Sequence, residues 1–229
     1  MLEMTHVTKT YRVGGQTVRA LDSIDLKLIG GEFVSVVGPS GAGKSTLLHL
    51  LGALDRPDSG SILFQGSEVG DLNDRQQSEF RRHSVGFVFQ FFNLLPTMTA
   101  WENIAVPKLL DGARMSKVKS RAMDLLELVG LAERAEHRPS ELSGGQMQRV
   151  AVARALMMDP PLILADEPTG NLDTTTGAAI MALLTNVAQQ DGRSVVMVTH
   201  NLEAASSTDR VITLSDGRIG SDVLAGELR

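Results

Sequence analysis

The run Gly38-Pro39-Ser40-Gly41-Ala42-Gly43-Lys44-Ser45 sets small residues, then an ammonium and a hydroxyl, in the order that cradles a polyphosphate. Glycines keep Cβ atoms out of the wrap and permit positive φ, so successive backbone N–H groups can converge on one anion. The Lys44 ammonium can reach β- and γ-phosphates, and the Ser45 hydroxyl can ligate Mg²⁺. Thr46 follows directly and is counted with the same nucleotide-contacting set. The alternative is an ordinary glycine turn. A strand-like run before the loop and a helix-like run after it argue against that alternative.

Two further constellations carry chemistry. Asp166 and Glu167 close the apolar run Leu162-Ile163-Leu164-Ala165, and the carboxyl ends of strands are where α/β sheets bind ligands. Neighbouring strand residues point to opposite sides. The expectation is that Asp166 faces magnesium while Glu167 addresses the attacking water, a metal ligand and a water-orienting base being the parts phosphoryl transfer needs. The plain alternative is a solvated strand end before the turn Pro168-Thr169-Gly170. In Leu142-Ser143-Gly144-Gly145-Gln146, Ser143 and Gln146 form an S-x-x-Q capping box. Spacing alone favours the cap. The two glycines also leave the helix entrance clear, so another molecule's phosphate can approach its N–H groups and positive dipole end. One element can serve both purposes.

These residues need a scaffold, and apolar periodicity supplies one. Phe33-Val34-Ser35-Val36-Val37 reads as the strand before the phosphate loop, and Leu47, Leu50, Leu51 and Leu54 as one face of the helix after it. Residues 1–29 read as strands around the turn Val13-Gly14-Gly15-Gln16. Short strands are predicted at Ser61-Ile62-Leu63-Phe64, Val85-Gly86-Phe87-Val88-Phe89, Pro161-Leu162-Ile163-Leu164-Ala165, Ser194-Val195-Val196-Met197-Val198 and Val211-Ile212-Thr213-Leu214. Ile180, Leu183, Leu184 and Val187 mark a helix between two of them. Unbroken apolar strands alternating with helices predict an α/β fold with a mostly parallel sheet covered on both faces. Residues 91–158 change to helical spacing, as in Val118, Ala122, Leu125 and Val129, and read as an inserted helical subdomain. The single domain 1–229 then divides into a core, 1–90 and 159–229, and that insert.

Composition narrows the function classes. The chain has 229 residues, a net charge of −5, few aromatics and no arginine–lysine block, so no nucleic-acid partner is expected. It has no cysteine, which removes disulfides and cysteine zinc sites and fits a reducing compartment. No run approaches the roughly 18 apolar residues of a membrane span, and the first residues lack the pattern of a signal peptide. Work at a membrane would require spans from another chain.

Taken together, Gly38 to Ser45, Leu142 to Gln146, and Leu164 to Glu167 followed by His200 resemble the ATPase subunit of an ABC transporter, over essentially the whole chain. The resemblance implies a RecA-like P-loop NTPase core, an antiparallel β part near the N-terminus and an inserted helical subdomain. It implies ATP and Mg²⁺ as ligands and ATP hydrolysis as the activity. It also implies two copies pairing head to tail, each ATP lying between Lys44 of one and Ser143, Gly144 and Gly145 of the other. By the same resemblance Tyr11 stacks on adenine, Gln90 touches magnesium or water, Asp173 belongs to a loop crossing the dimer seam, and His200 contacts the γ-phosphate. Plain readings stand beside these: a half-buried strand tyrosine, a polar strand end and an N-cap for the helix starting near Thr174.

Gly86 to Gln90, Leu94-Leu95-Pro96, Asn103, His137 to Glu141 and Ala165 to Asp173 resemble bacterial lipoprotein-releasing and macrolide-exporting ATPases. That branch implies a peripheral protein at the cytoplasmic face of the inner membrane, moving a separate permease subunit. A cell-division ATPase of the same fold is an alternative, and a soluble ABC ATPase acting on nucleic acid a more distant one. The apolar cluster Phe91, Phe92, Leu94, Leu95, Met98 and Trp101 is the expected docking surface for the permease.

Overall fold

A computed structural model describes residues 1–227. Strands β1 (Leu2–Val13), β2 (Gln16–Leu28) and β3 (Phe33–Val37) lead into helix α1 (Lys44–Leu51). β4 (Ser59–Phe64), β5 (Ser67–Glu68) and α2 (Asp74–Ser84) precede β6 (Val85–Phe89). Helices α3 (Ala100–Leu110), α4 (Met115–Leu128) and α5 (Gly144–Ala155) follow. Then come β7 (Leu162–Asp166), α6 (Thr174–Asp191), β8 (Ser194–Val198), α7 (Leu202–Ser206), β9 (Arg210–Ser215) and β10 (Arg218–Leu224).

Two sheets form. One is antiparallel, in the order β2-β1-β4-β5; the other has the order β10-β9-β3-β8-β7-β6. In the second, β3, β6, β7, β8 and β9 run parallel and β10 pairs antiparallel with β9 at the edge. Strand alternation divides this sheet's side chains between two cores. Val34, Val36, Leu162, Leu164, Val196 and Val198 pack with α1 and the antiparallel sheet. Phe33, Ile163, Ala165, Val195 and Met197 pack on the other side with residues of α3 to α6. Both faces are covered, as continuous apolar strands require.

Local differences from the sequence expectation have physical causes. Helix α1 ends at Leu51 with Gly52 as its C-cap, so Leu54 lies beyond it and is 44% exposed. Leu48 is buried instead, because α1 is enclosed between the parallel sheet and the antiparallel strands. Helix α2 escapes apolar periodicity altogether, since Gln77 is its buried residue. A capping box holds its start: Gln76 N–H donates to Asn73 Oδ1 and Asn73 N–H to Gln76 Oε1, both at 3.0 Å.

Candidate functional site

Parallel pairing brings the chemistry-bearing residues to one edge. Val36 is in register with Val198, Val198 with Asp166, and Asp166 with Phe89. The phosphate loop, His200, the Asp166–Glu167 pair and Gln90 therefore all leave the sheet at the carboxyl ends of adjacent strands, where a ligand crevice forms.

The loop's glycines answer first to the chain itself. A Cβ on Gly38 would lie 2.0 Å from Leu214 O, and one on Gly43 would lie 2.2 Å from Ala20 O. At 38 and 43 the position a Cβ would take is filled by neighbouring backbone, and both glycines have positive φ, +151° and +103°. Gly41 has open space around it and φ +81°, so its freedom is directed outward. Pro39, Ser40 and Gly41 are exposed, and Ala42 is buried beneath them, its carbonyl accepting from Gly217 N–H at 3.1 Å. Lys44 Nζ donates to Gly38 O at 2.8 Å and Pro39 O at 2.9 Å, which folds the ammonium back over the loop. A cation beside an exposed loop and a helix start is the arrangement that favours an anion.

Burial raises the Asp166 carboxyl above its ordinary value, and the neighbouring Glu167 adds to this. His49, Lys44 and a hydrogen bond from Ser45 act in the opposite direction. Ser45 and His49 reach one carboxylate together because residues four apart share a helix face. Glu167 is not on the strand. It has φ +47°, its N–H donates to Val198 O at 2.9 Å, and its carbonyl accepts from Gly170 N–H at 3.1 Å. The argument from strand alternation is therefore corrected: a left-handed turn separates the two carboxylates. Glu167 Oε1 lies 2.9 Å from His200 Nδ1, so the acid and the imidazole form a pair, His200 mostly exposed and Glu167 largely covered. Gln90 binds Asn171 in both directions, Nε2 to Oδ1 at 3.3 Å and Asn171 Nδ2 to Gln90 O at 3.1 Å.

Ser143, Gly144, Gly145 and Gln146 gather at the start of α5. The capping box is present: Gln146 N–H donates to Ser143 Oγ at 3.3 Å and Ser143 N–H to Gln146 Oε1 at 2.9 Å. The two glycines differ: a Cβ on Gly144 would make ordinary contacts with Leu172 and Phe92 at 3.5 and 3.8 Å, whereas Gly145 also answers to the chain itself. A Cβ on Gly145 would lie 2.2 Å from Thr176 Cγ2, so this glycine lets α5 approach α6 within the chain. Asp173 caps α6, accepting from Thr176 N–H at 2.9 Å and Thr176 Oγ1 at 2.6 Å, and these bonds hold its carboxyl below the usual range. Tyr11 is half-buried on β1, its hydroxyl donating to Asp55 Oδ2 at 2.8 Å.

The docking cluster splits. Phe91 is 73% and Leu95 43% exposed, but Trp101 is 7% exposed. Trp101 belongs to the core between α3 and α4, with Nε1 donating to Glu136 at 3.2 Å, so it is removed from the docking surface. Asn103, fully buried, fixes the loop before α3 by accepting from Leu95 N–H and donating to the carbonyls of Leu95, Met98 and Thr99. Arg154 of α5 donates to Phe92 O at 2.7 Å and Asn93 O at 2.5 Å, two residues with positive φ.

Sequence reasoning missed Gln148. This glutamine is completely buried, with Nε2 donating to Pro168 O at 2.7 Å, directly after Glu167. The available signal was a polar residue in the inward register of α5, beside Val150, Ala151 and Val152.

Comparison with known proteins agrees with this geometry. The pattern of the ABC transporter family matches residues 21–170. The lipoprotein-releasing system ATP-binding protein LolD of Geobacter metallireducens is 49% identical over 222 residues, 97% of this chain and 99% of its own. The macrolide export ATP-binding/permease protein MacB of Chlorobaculum tepidum is 48% identical over 97% of this chain, which covers 34% of that longer relative. A dimeric structure of the Methanocaldococcus jannaschii cassette MJ0796, in a post-hydrolysis state bound to ADP and Pi, matches with a TM-score of 0.91 and 42% identity, over 98% of this chain and 99% of that one. The chain belongs to the ABC transporter family, as one of its ATP-binding, ATP-hydrolysing cassettes.

Proposed function

We propose that this cassette works as a pair, closing head to tail around two ATP molecules and driving a separate membrane permease in export or lipoprotein release. The observation that carries the catalytic part is the Glu167–His200 pair, 2.9 Å apart at the same sheet edge as the phosphate loop. In this reading Gly38 to Thr46 bind the phosphates and Lys44 neutralises developing charge. Glu167 orients and deprotonates the attacking water, and His200 holds Glu167 and meets the γ-phosphate. Ser143, Gly144, Gly145 and Gln146 complete the other copy's site, with Asp173 at the seam and Tyr11 under the base.

Magnesium fits the donors present. The Ser45 hydroxyl bonds the Asp166 carboxylate, and Gln90 sits at the neighbouring strand end. Among the described residues no group of three or more acids, histidines or cysteines could hold a metal alone. That suits an ion that takes its remaining ligands from phosphate and water. When bound, it supplies charge neutralisation on the phosphate oxygens.

Among the described residues no helix is long and apolar enough to cross a membrane. In this reading the chain sits peripherally at the cytoplasmic face, and residues 91–158 form the subdomain that receives the permease. Support comes from exposed Phe91 and Leu95 beside a groove of about 300 Å³ lined by Arg81, Arg82, Phe87, Phe89, Val106 and Arg154. An apolar segment would suit that lining, since Arg81, Arg82 and Arg154 are already held by Ala53 O, Asp111 and the carbonyls of Phe92 and Asn93. Replacing both Phe91 and Leu95 with Asp should leave basal ATPase activity and the melting temperature unchanged while abolishing co-purification with the permease. Undiminished co-purification and stimulation would remove this surface.

A further inference from the structure

The connection from α1 to β4 is clasped along the strand that carries Tyr11. Asp58 N–H donates to Thr8 O at 2.9 Å, and Thr10 donates to Asp58 Oδ2 from both N–H and hydroxyl, at 2.7 and 2.6 Å. Lys9 is 9% exposed, and its ammonium donates to Asp55 Oδ1 and to Arg56 O, both at 2.7 Å. The second oxygen of Asp55 accepts the Tyr11 hydroxyl. A buried ammonium needs such partners, because an unpaired charge there would be strongly destabilising.

We infer that Asp55, held by Lys9, is a positioning residue that fixes the Tyr11 ring as a platform for the nucleotide base and sets its distance from the phosphate loop. This rests on the reading of Tyr11 as the base platform. Three observations carry it. Asp55 receives one bond from Lys9 and another from Tyr11, so the carboxylate fixes where the phenol points. Lys9 Nζ lies over the Tyr11 ring, 5.3 Å from its centroid, so in this reading a base stacks on the opposite face. Asp55 lies four residues beyond the end of α1, which starts at Lys44 of the phosphate loop, and the Thr46 hydroxyl of its first turn also acts on the Tyr11 phenol. One short rigid path therefore joins the two ends of the nucleotide. Burial and the Asp55 carboxylate both raise the Tyr11 pKa, keeping the phenol a hydrogen-bond donor.

The test compares ATP with inorganic tripolyphosphate, which has the phosphates and no base, by titration calorimetry on the full chain. Tyr11→Phe keeps the ring and loses the tether; Asp55→Ala loses the tether from the other side. Each should weaken ATP binding about three- to tenfold, the range set by one net hydrogen bond, and leave tripolyphosphate binding unchanged. The double variant should bind ATP no worse than the weaker single one, because both remove the same bond. Tyr11→Ala separates the two ideas. If it weakens ATP binding while Tyr11→Phe and Asp55→Ala bind ATP like the unmodified chain, the tether is wrong and the platform stands. If Tyr11→Ala binds ATP normally, the platform itself is wrong. Equal losses for ATP and tripolyphosphate in Asp55→Ala would also overturn the inference, as damage to the phosphate loop. Should Asp55→Ala fail to fold, Tyr11→Phe decides alone, since it removes one oxygen from a half-buried ring.

Discussion

Glu167 holds the least ordinary backbone position at the site. A glutamate at φ +47° is sterically unfavourable, and here it is kept by its own N–H on Val198 O and by Gly170 N–H on its carbonyl. The turn leaves the carboxylate 2.9 Å from His200 Nδ1 and still near enough to Asp166 to raise that carboxyl. Replacing Glu167 with Gln preserves the shape and removes the proposed base, so ATP affinity should stay within about twofold while kcat falls by roughly a hundredfold or more. Titration and single-turnover assays separate these quantities. The residue types at this scale stand out in the sequence at fixed spacing, and the structure brings Lys44, Asp166, Glu167, Gln90 and His200 to one sheet edge. The conformations were not legible there. Nothing in Ala165-Asp166-Glu167-Pro168 encodes a left-handed glutamate, and nothing around Gly145 shows that Thr176 of the same chain packs against it.

Helix α5 reaches the catalytic loop through one buried amide. Gln148 supplies Pro168 O with its donor, while its own Oε1 is buried without a hydrogen-bond partner. Gln148→Leu should lower the unfolding free energy by about 1–3 kcal/mol, the loss typical of an orphaned buried carbonyl, and urea denaturation would measure it. The β4–β5 hairpin offers a pH-dependent counterpart. Burial raises the Glu68 carboxyl, but hydrogen bonds from Ser61, Ile62 N–H and Gly70 N–H outweigh it and hold the group below its ordinary 4.5. The unfolded chain then binds this proton first. Glu68 stabilises the fold fully above pH 4.5 and progressively less as pH falls through its folded value. Glu68→Gln should flatten the fall in melting temperature between neutral and acidic pH; an unchanged slope would exclude Glu68 from it. Strongly apolar strands could be read from the sequence at this scale, whereas α2 could not, because its start is fixed by Asn73 and Gln76 and its surface is polar.

At the scale of the molecule, the nucleotide machinery falls into two groups. Lys44, Asp166, Glu167, Gln90 and His200 share a sheet edge. Ser143 to Gln146 belong to the entrance of α5, where the atoms nearest the two glycines come from Phe92, Leu172 and Thr176. A second copy is what joins these groups in the proposed mechanism, in line with the dimeric, ADP- and Pi-bound state of the MJ0796 cassette. The sequence showed both groups as motifs, but where α5 lies, against α6 and β6, is a property of packing. The most direct measurement is specific ATPase activity against chain concentration, with molar mass followed by light scattering in the same samples. The account predicts that activity per chain rises with concentration and that Glu167→Gln doubles its mass when ATP is added. Constant activity per chain in a sample that stays monomeric throughout would contradict it.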